Sequence, residues 1–425
     1  MNSSQKKQVD FLVGNAKKGT PLRMQYLGSK ARISNWIMHE IAKSLPDADC
    51  FIDAFAGTGV VGAAAVKSGY KLYANDIQPY SYCILQSMFA QPTKGLSKAI
   101  SDLKKITTAS MSSRLGSDIA DYVEKEEHFF SESKCGKLSW KKYSDFCEGT
   151  PNVTPTKEFI LSKTTEKTYD LFTTYYPNTY FGVRQCIQLD LLRKVASQYP
   201  ENITYHIMAA TLAVMTYAVS STTHLAQYLK PTSAATAKNL IAKRSIDIIS
   251  DVIIRLTEIN KTKPVTSPHC LHNSDFRVAI SSIKPGANHV IYVDPPYFKE
   301  HYSRYYHVLD TFCLYDYPML TYNPRTDAVT SGRYREGRIV SEFGLKSSVK
   351  KAFTDLFKLG ASHKTNIAIS YAETSLVGKS DLISIANACG YKTDVKDIII
   401  MHSGQGQPRN NLVKEYLFIC TLQGI

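Results

Sequence analysis

The residues that bear the most chemistry in this chain are Asp294, Pro295, Pro296 and Tyr297, which directly follow the apolar run Val290, Ile291, Tyr292 and Val293. The run reads as a buried strand, and its carboxyl end is where open α/β sheets bind ligands. Two prolines fix φ and donate nothing to a ladder, so the chain leaves the sheet as a stiff extended segment. That segment offers a carboxylate, a free Pro295 carbonyl and a flat ring. The set suits a planar amine, with the ring stacked on it and the two oxygens accepting its N–H hydrogens. Such acceptors help an exocyclic amino group, whose lone pair is delocalised, to become more tetrahedral and nucleophilic without a covalent protein intermediate. Asp-Pro-Pro is also an ordinary turn after a strand, so the rest of the chain must decide.

A second constellation lies near the amino end. Cys50, Phe51, Ile52 and Asp53 read as a strand, followed by a turn in which Gly57, Gly59 and Gly62 have the G-x-G-x-x-G spacing of nucleotide folds. A second strand at 71–74 ends at Asn75-Asp76, which puts an acid where such folds bind a ribose, and a helix at 79–89 completes a β-α-β-α unit. A nucleoside-containing cofactor follows, with nicotinamide, flavin and S-adenosylmethionine all open. A hydride-transfer enzyme has no use for the amine-holding group at Asp294, which favours the methyl donor. Upstream, Gln25-Tyr26-Leu27-Gly28-Ser29-Lys30 leads into a helix at 31–45 whose Ile33, Trp36, Ile37, Ile41 and Leu45 recur at helical spacing. That entry can present N–H groups and the Lys30 charge to an anion; a capped helix start with an exposed lysine is the alternative.

The elements that must position these residues follow from pattern. Between 91 and 267 the strand–helix alternation stops, with helices expected at 205–219 and, as one long element, at 234–259, and with Tyr169, Phe172, Tyr175, Tyr176, Tyr180 and Phe181 read as core. A short strand at 270–276 closes on Asp275 and Phe276. After the tetrad, Lys299, His301, Arg304, Tyr302, Tyr305 and Tyr306 crowd one segment, and Arg325, Arg333, Arg335 and Arg338 read as an exposed basic loop suited to phosphates. The sheet resumes with a strand at 366–371, a helix at 380–388 and strands at 393–395, 398–401 and 415–421; an amide-rich loop carrying Arg409 links the last two.

Lys plus Arg number 51 against 37 Asp plus Glu, a net charge of +14 that points to an acidic partner, nucleic acid first. Nine cysteines without C-x-x-C spacing read as reduced thiols in a cytoplasmic protein, and eleven histidines without a ligand pattern give no reason to expect a metal. Residues 1–18 read as neither signal peptide nor span, and no window has the length and apolarity of a transmembrane helix.

Taken together, Tyr26-Leu27-Gly28-Ser29-Lys30, Asp53-Ala54-Phe55-Ala56-Gly57-Thr58-Gly59, Asn75-Asp76, Asn273-Ser274-Asp275-Phe276 and Asp294-Pro295-Pro296-Tyr297 resemble the D12-class (Dam-like, α-group) DNA adenine-N6 methyltransferases, with the motifs in that family's order. The likeness extends through Tyr180-Phe181-Gly182, Leu189-Asp190-Leu191-Leu192-Arg193 and His224 to Lys230, as far as Glu415-Tyr416-Leu417. It implies an α/β, Rossmann-like S-adenosylmethionine-dependent methyltransferase fold with a mixed sheet. Residues 1–90 and 268–425 would form the catalytic domain, and 91–267 a mainly helical target recognition insert, larger than in compact members.

By the same resemblance, Tyr26, Gly28 and Lys30 contact the donor; Phe55, Gly57 and Gly59, with Asp53, line its amino-acid end; and Asp76 binds the ribose. Asp275 bonds the donor's adenine amine with Phe276 beside it, while Asp294 and Pro295, with Pro296, hold the target N6 and Tyr297 stacks on the base. Lys299, Arg304, Arg333, Arg335, Arg338 and Arg409 are the candidate contacts to double-stranded DNA. The enzyme either accompanies a cognate restriction endonuclease or acts as an orphan. A methyltransferase of RNA or of protein glutamine amides, and a degenerate methyltransferase kept as a DNA-binding module, are the alternatives.

Overall fold

The computed structural model describes residues 22, 24–26, 28–89, 94–106, 117–166, 168–222, 225–262, 269–296, 302–326, 328–403 and 410–424. Tyr297, Lys299 and Arg409, with residues 1–18, His224 and His301, lie outside the described residues.

Seven strands share one sheet: β1 Cys50–Asp53, β2 Lys71–Asn75, β3 His269–His272, β4 His289–Val293, β5 Asn366–Ala372, β6 Tyr391–Ser403 and β7 Asn410–Leu422. Their order is β3-β2-β1-β4-β5-β7-β6, with β7 antiparallel to both its neighbours and the other pairings parallel. The sheet is therefore mixed, as expected. The chain steps outward from β1 through β2 to β3 and then returns to the other side of β1 with β4. This reversal leaves a crevice beyond the carboxyl ends of β1 and β4. Register places Asp53 beside Tyr292, so the turn after β1 and the tetrad after β4 leave the sheet side by side.

Alternation along the strands builds two cores. Phe51, Leu72, Val290, Tyr292, Leu417 and Ile419 face one layer, which includes the helices Ser34–Ser44, Val60–Lys67 and Pro79–Phe89. Cys50, Ile52, Ile291, Val293 and Phe418 face the other, where Phe353, Leu356 and Phe357 of the helix Val349–Ser362 pack. Between β2 and β3 the described elements are all helices. Many of their buried side chains, Leu171, Phe172, Leu189 and Leu212 among them, join the first core, while Phe130, Tyr143, Leu240 and Ile241, and separately Val183, Ile187 and Leu191, form small clusters of their own. Phe172, Tyr175, Tyr176, Tyr180 and Phe181 are fully buried. Each large apolar side chain so buried contributes roughly 1.5–3 kcal/mol, which seats this segment firmly on the sheet.

Three expectations are corrected. The long helix at 234–259 is two, Ala234–Arg244 and Ile248–Ile259. Arg244 is fully buried and donates to Tyr143 Oη (2.9 Å) and to the carbonyls of Asn178 (3.0 Å) and Thr179 (3.2 Å), which pins the first helix's end, and Asp247 caps the second through Ser250 N–H. The strand candidates at 393–395 and 398–401 are one strand, β6. It lies at the sheet edge, where the neighbouring Lys396 and Asp397, on opposite faces, pair with Asp394 and Lys414 without interrupting the strand. Finally, the basic loop is only partly exposed. Arg333 donates to the Tyr175 carbonyl (2.7 Å), and Arg335, 13% exposed, is paired with Asp316 at 2.6 Å. Among the described residues no helix is long and apolar enough to cross a membrane.

Candidate active site

The turn after β1 is shaped by two left-handed glycines, Gly57 at φ +53° and Gly59 at φ +75°, a conformation that penalises any side chain. Gly59 also starts the helix Val60–Lys67, and a Cβ there would sit 2.8 Å from Leu85 Cδ2. The Gly57 N–H donates to Asp76 Oδ2 at 2.7 Å, while Asp76 Oδ1 accepts from the Gln78 N–H at 2.9 Å. Asp76 thus braces the glycine loop from the end of β2. The neighbouring Asn75 amide donates to the carbonyls of Ala54 (3.2 Å) and Ser274 (3.1 Å), tying together the ends of β1, β2 and β3.

The same crevice receives Asp294 and Pro296. Tyr26, Gly28, Lys30, Asp53, Phe55, Gly57, Asp76, Asp294 and Pro296 line one cavity. Tyr26 is stacked on Tyr306, with ring centroids 5.1 Å apart and planes 16° from parallel, and the rings of Tyr80 and Tyr302 lie against it. The aromatic segment after the tetrad therefore turns inward and forms a wall.

Lys30 is buried at 5% exposure, contrary to the exposed-lysine alternative. Its Nζ is 3.2 Å from Asp294 Oδ1 and 2.8 Å from Glu415 Oε1 on β7, and Glu415 also accepts from Ser370 Oγ at 3.0 Å. Burial pushes the Asp294 carboxyl up to about 6; the Lys30 ammonium opposes that and Glu415 adds to it. Asp76 is likewise pushed up to about 6, mainly by burial, against the pull of its backbone N–H donors. Asp53 is raised well above the carboxylate range by burial, then by Asp294 and Asp76. Neither of its oxygens has a well-formed hydrogen bond.

Not every expected residue reaches the cavity. Gly59, Asp275, Phe276 and Pro295 do not line it. Asp275 caps the helix Phe276–Ser281 through the Arg277 N–H (2.8 Å), and Phe276 lies behind Phe55, centroids 5.5 Å apart. Residues that sequence reasoning passed over line it too, among them Tyr80, Ser303, Ile339 and Ser341. The Ser303 hydroxyl is buried without a hydrogen-bond partner among the described residues. The signal available for Ser303 was its place six residues beyond Tyr297; nothing local marks Ile339. Arg304 and Arg338 directly follow and precede lining residues, and both flank the Tyr334 ring, at 5.6 and 4.7 Å.

The arrangement fits S-adenosylmethionine on its own terms. Three carboxyl groups, Asp53, Asp76 and Asp294, surround one cavity, and burial penalises their negative charge; a ligand bearing sulfonium and ammonium charges relieves that penalty. Among the described residues no group of three or more His, Cys, Asp or Glu side chains is gathered for a metal ion.

The family model for D12 class N6 adenine-specific DNA methyltransferase matches residues 26–322. Among curated proteins, the chain is 25% identical over 375 residues to the type II methyltransferase M.FokI of Planomicrobium okeanokoites, an alignment covering 86% of this chain and 47% of that protein. It is 24% identical to the modification methylase LlaI of Lactococcus lactis subsp. lactis (85% and 48%), and 22% identical to the type II methyltransferase M.CviAII of Paramecium bursaria Chlorella virus 1 (94% and 99%). The chain thus spans about half the length of the first two and nearly all of the third.

Proposed function

This chain belongs to the D12 class N6 adenine-specific DNA methyltransferase family, and from that premise we propose that it transfers a methyl group from S-adenosylmethionine to N6 of an adenine flipped out of duplex DNA. The observation that carries the reading is that the glycine loop and the Asp294 end of β4 open into one cavity. S-Adenosylmethionine, when bound, supplies an electrophilic methyl carbon on a sulfonium sulfur. Tyr26, Lys30, Phe55, Gly57 and Asp76 would hold it.

The chain's own residues do the rest. A base inside a duplex cannot reach this cavity, so the adenine must leave the stack, at a cost of a few kcal/mol. Asp294 and the Pro295 carbonyl accept the N6 hydrogens, orienting the nitrogen lone pair toward the methyl carbon, and Tyr297 stacks on the ring. Receipt of the methyl group would place positive charge on N6, which the Asp294 carboxylate would stabilise. One N6 proton then departs, with Asp294, at about 6, able to take it and release it to water near neutral pH. Asp275 and Phe276 complete the donor side in this reading, Asp275 by exchanging its cap for the donor's adenine amine.

The expected DNA contacts are Arg304 and Arg338, with Lys299 and Arg409; Arg333 and Arg335 are engaged instead by the Tyr175 carbonyl and by Asp316. The excess of basic residues supports a polyanionic partner. The printed names of the relatives support pairing with a cognate restriction endonuclease, and all nine cysteines are free thiols, in keeping with a cytoplasmic site of action.

Incubating the protein with labelled S-adenosylmethionine and duplex DNA, and mapping N6-methyladenine by sequencing, tests the proposal. The wild type is expected to methylate adenine in a fixed sequence context, and Asp294→Ala to lose methylation while retaining DNA binding. Methyl transfer to RNA or protein with none to duplex DNA, or full activity in Asp294→Ala, refutes it.

A further inference from the structure

Glu415 occupies a place in β7 that alternation assigns to an apolar side chain. Leu417 and Ile419, two and four residues on, face the core beside the insert, whereas Glu415, just 1% exposed, puts a carboxylate on that side. A buried charge costs several kcal/mol unless it is paired, and here the pairing is specific. Ser370 on β5 donates to Oε1, and Lys30 Nζ lies 2.8 Å from the same oxygen. Lys30 in turn stands 3.2 Å from Asp294. Two carboxylates and one ammonium, from β7, from the end of β4 and from the turn Lys30–Arg32, thus form a buried row whose far end is the group that meets the substrate.

We propose that Glu415 is a positioning residue for methyl transfer: it shares the Lys30 ammonium with Asp294, fixing where that ammonium sits and how far it neutralises Asp294. This rests on the reading of Asp294 as acceptor for the target amine. An Asp294 paired with Lys30 alone is a weak acceptor, because its charge is already spent on its partner. An Asp294 without Lys30 is protonated in this buried site and accepts poorly. Division of the ammonium between two carboxylates leaves Asp294 ionised and still strong. The charged and titratable groups around Asp294 are Lys30 from the turn, Glu415 from β7, Asp53 from the end of β1 and Tyr292 from β4. Lys30 alone among these four is a cation, so the charge on Glu415 governs its pull.

The test is the pH profile of single-turnover methyl transfer to duplex DNA at saturating S-adenosylmethionine. For Glu415→Gln the acid limb moves to lower pH, by about one pH unit, because Lys30 now pairs with Asp294 alone. The plateau rate falls about 10-fold to 100-fold. Glu415→Asp, which restores the charge, returns the limb toward its wild-type position. A purely structural role lowers the rate and leaves the limb in place, and that result overturns the proposal. If Glu415→Gln does not fold, Ser370→Ala, which removes the donor that seats the Glu415 carboxylate against Lys30, gives a smaller shift in the same direction; an unmoved limb there overturns the proposal equally. A wild type that methylates no duplex DNA at any pH refutes the underlying reading of the site, a result distinct from an active wild type whose variants keep its profile.

Discussion

Gly59→Ala isolates the geometry of the donor loop. The native residue is at φ +75°, ψ +11°, where an L side chain costs about 1–2 kcal/mol. Its new Cβ would lie 2.8 Å from Leu85 Cδ2 and 3.2 Å from Met88 Sδ, and both residues are buried in the helix Pro79–Phe89 with little room to retreat. Overpacking of this kind adds about 1–3 kcal/mol, so the variant is destabilised by about 2–5 kcal/mol in denaturant titration. If the loop yields instead, the Gly57 N–H moves off Asp76. Losing one hydrogen bond to a charged group, worth about 1.5–3 kcal/mol, weakens S-adenosylmethionine about 10- to 100-fold by calorimetry. Gly69→Ala is the control: that residue has φ +98° and nothing within 4 Å of the new methyl, so only the backbone cost applies and donor affinity is unchanged. A Gly59→Ala protein as stable as Gly69→Ala, with wild-type donor affinity, refutes the reasoning.

Other perturbations follow from the same geometry. Donor affinity should fall as pH drops below about 6, where Asp76 and Asp294 take up protons, by at most about tenfold per pH unit for each proton coupled to binding. The free protein responds with the opposite sign. A carboxyl raised above its unfolded value contributes stability at low pH that is lost as pH rises through about 6. Calorimetric titration from pH 8 to pH 5 checks both, and a flat affinity profile contradicts the electrostatic account of the cavity. Ser303→Ala should raise KM for DNA about 2- to 10-fold, the value of one neutral hydrogen bond. If that buried hydroxyl donates to a ring nitrogen of the flipped adenine, the wild type rejects 1-deaza- or 7-deazaadenine in the target and the variant does not. Arg338→Ala should reduce the dependence of log Kd on log salt by about 0.9 if it meets one phosphate. Arg335→Ala, which breaks the pair with Asp316, should cost stability and leave that slope alone; the reverse pattern would relocate the DNA to the inner face of the loop.

What could be read from the sequence is what local chemistry dictates. Gly57 and Gly59 are glycines because the turn needs left-handed backbone, and Pro295 and Pro296 stop a strand wherever they occur, so loop and tetrad show themselves without a partner. The strand alternation that split the sheet's two cores is equally local. Lys30 was legible as a charge beside a helix start but not as a buried one. Its burial depends on Glu415, brought to it only when β7 inserts between β5 and β6. Asp275 shows a second role that sequence alone did not reveal: the side chain that the family resemblance assigns to the donor also caps the next helix, accepting from the Arg277 N–H. Arginine composition misled at Arg333, because a guanidinium reads as solvent-seeking until a carbonyl such as that of Tyr175 takes it up.

The charge pattern of the cavity explains why the acids of this crevice follow strands while its buried lysine, Lys30, comes from a turn. Asp53, Asp76 and Asp294 end β1, β2 and β4, the strands at and beside the reversal of strand order, so each extends into the same crevice. Three buried acids repel one another and would remain protonated, useless as acceptors, without a cation. A lysine on any of those same strands would occupy the crevice itself. Carried by the turn before the first helix and anchored from behind by β7, Lys30 offsets the charge from the wall and leaves the volume free for ligands. The antiparallel insertion of β7, which looks like a detail of topology, is thus what supplies the anchor at Glu415.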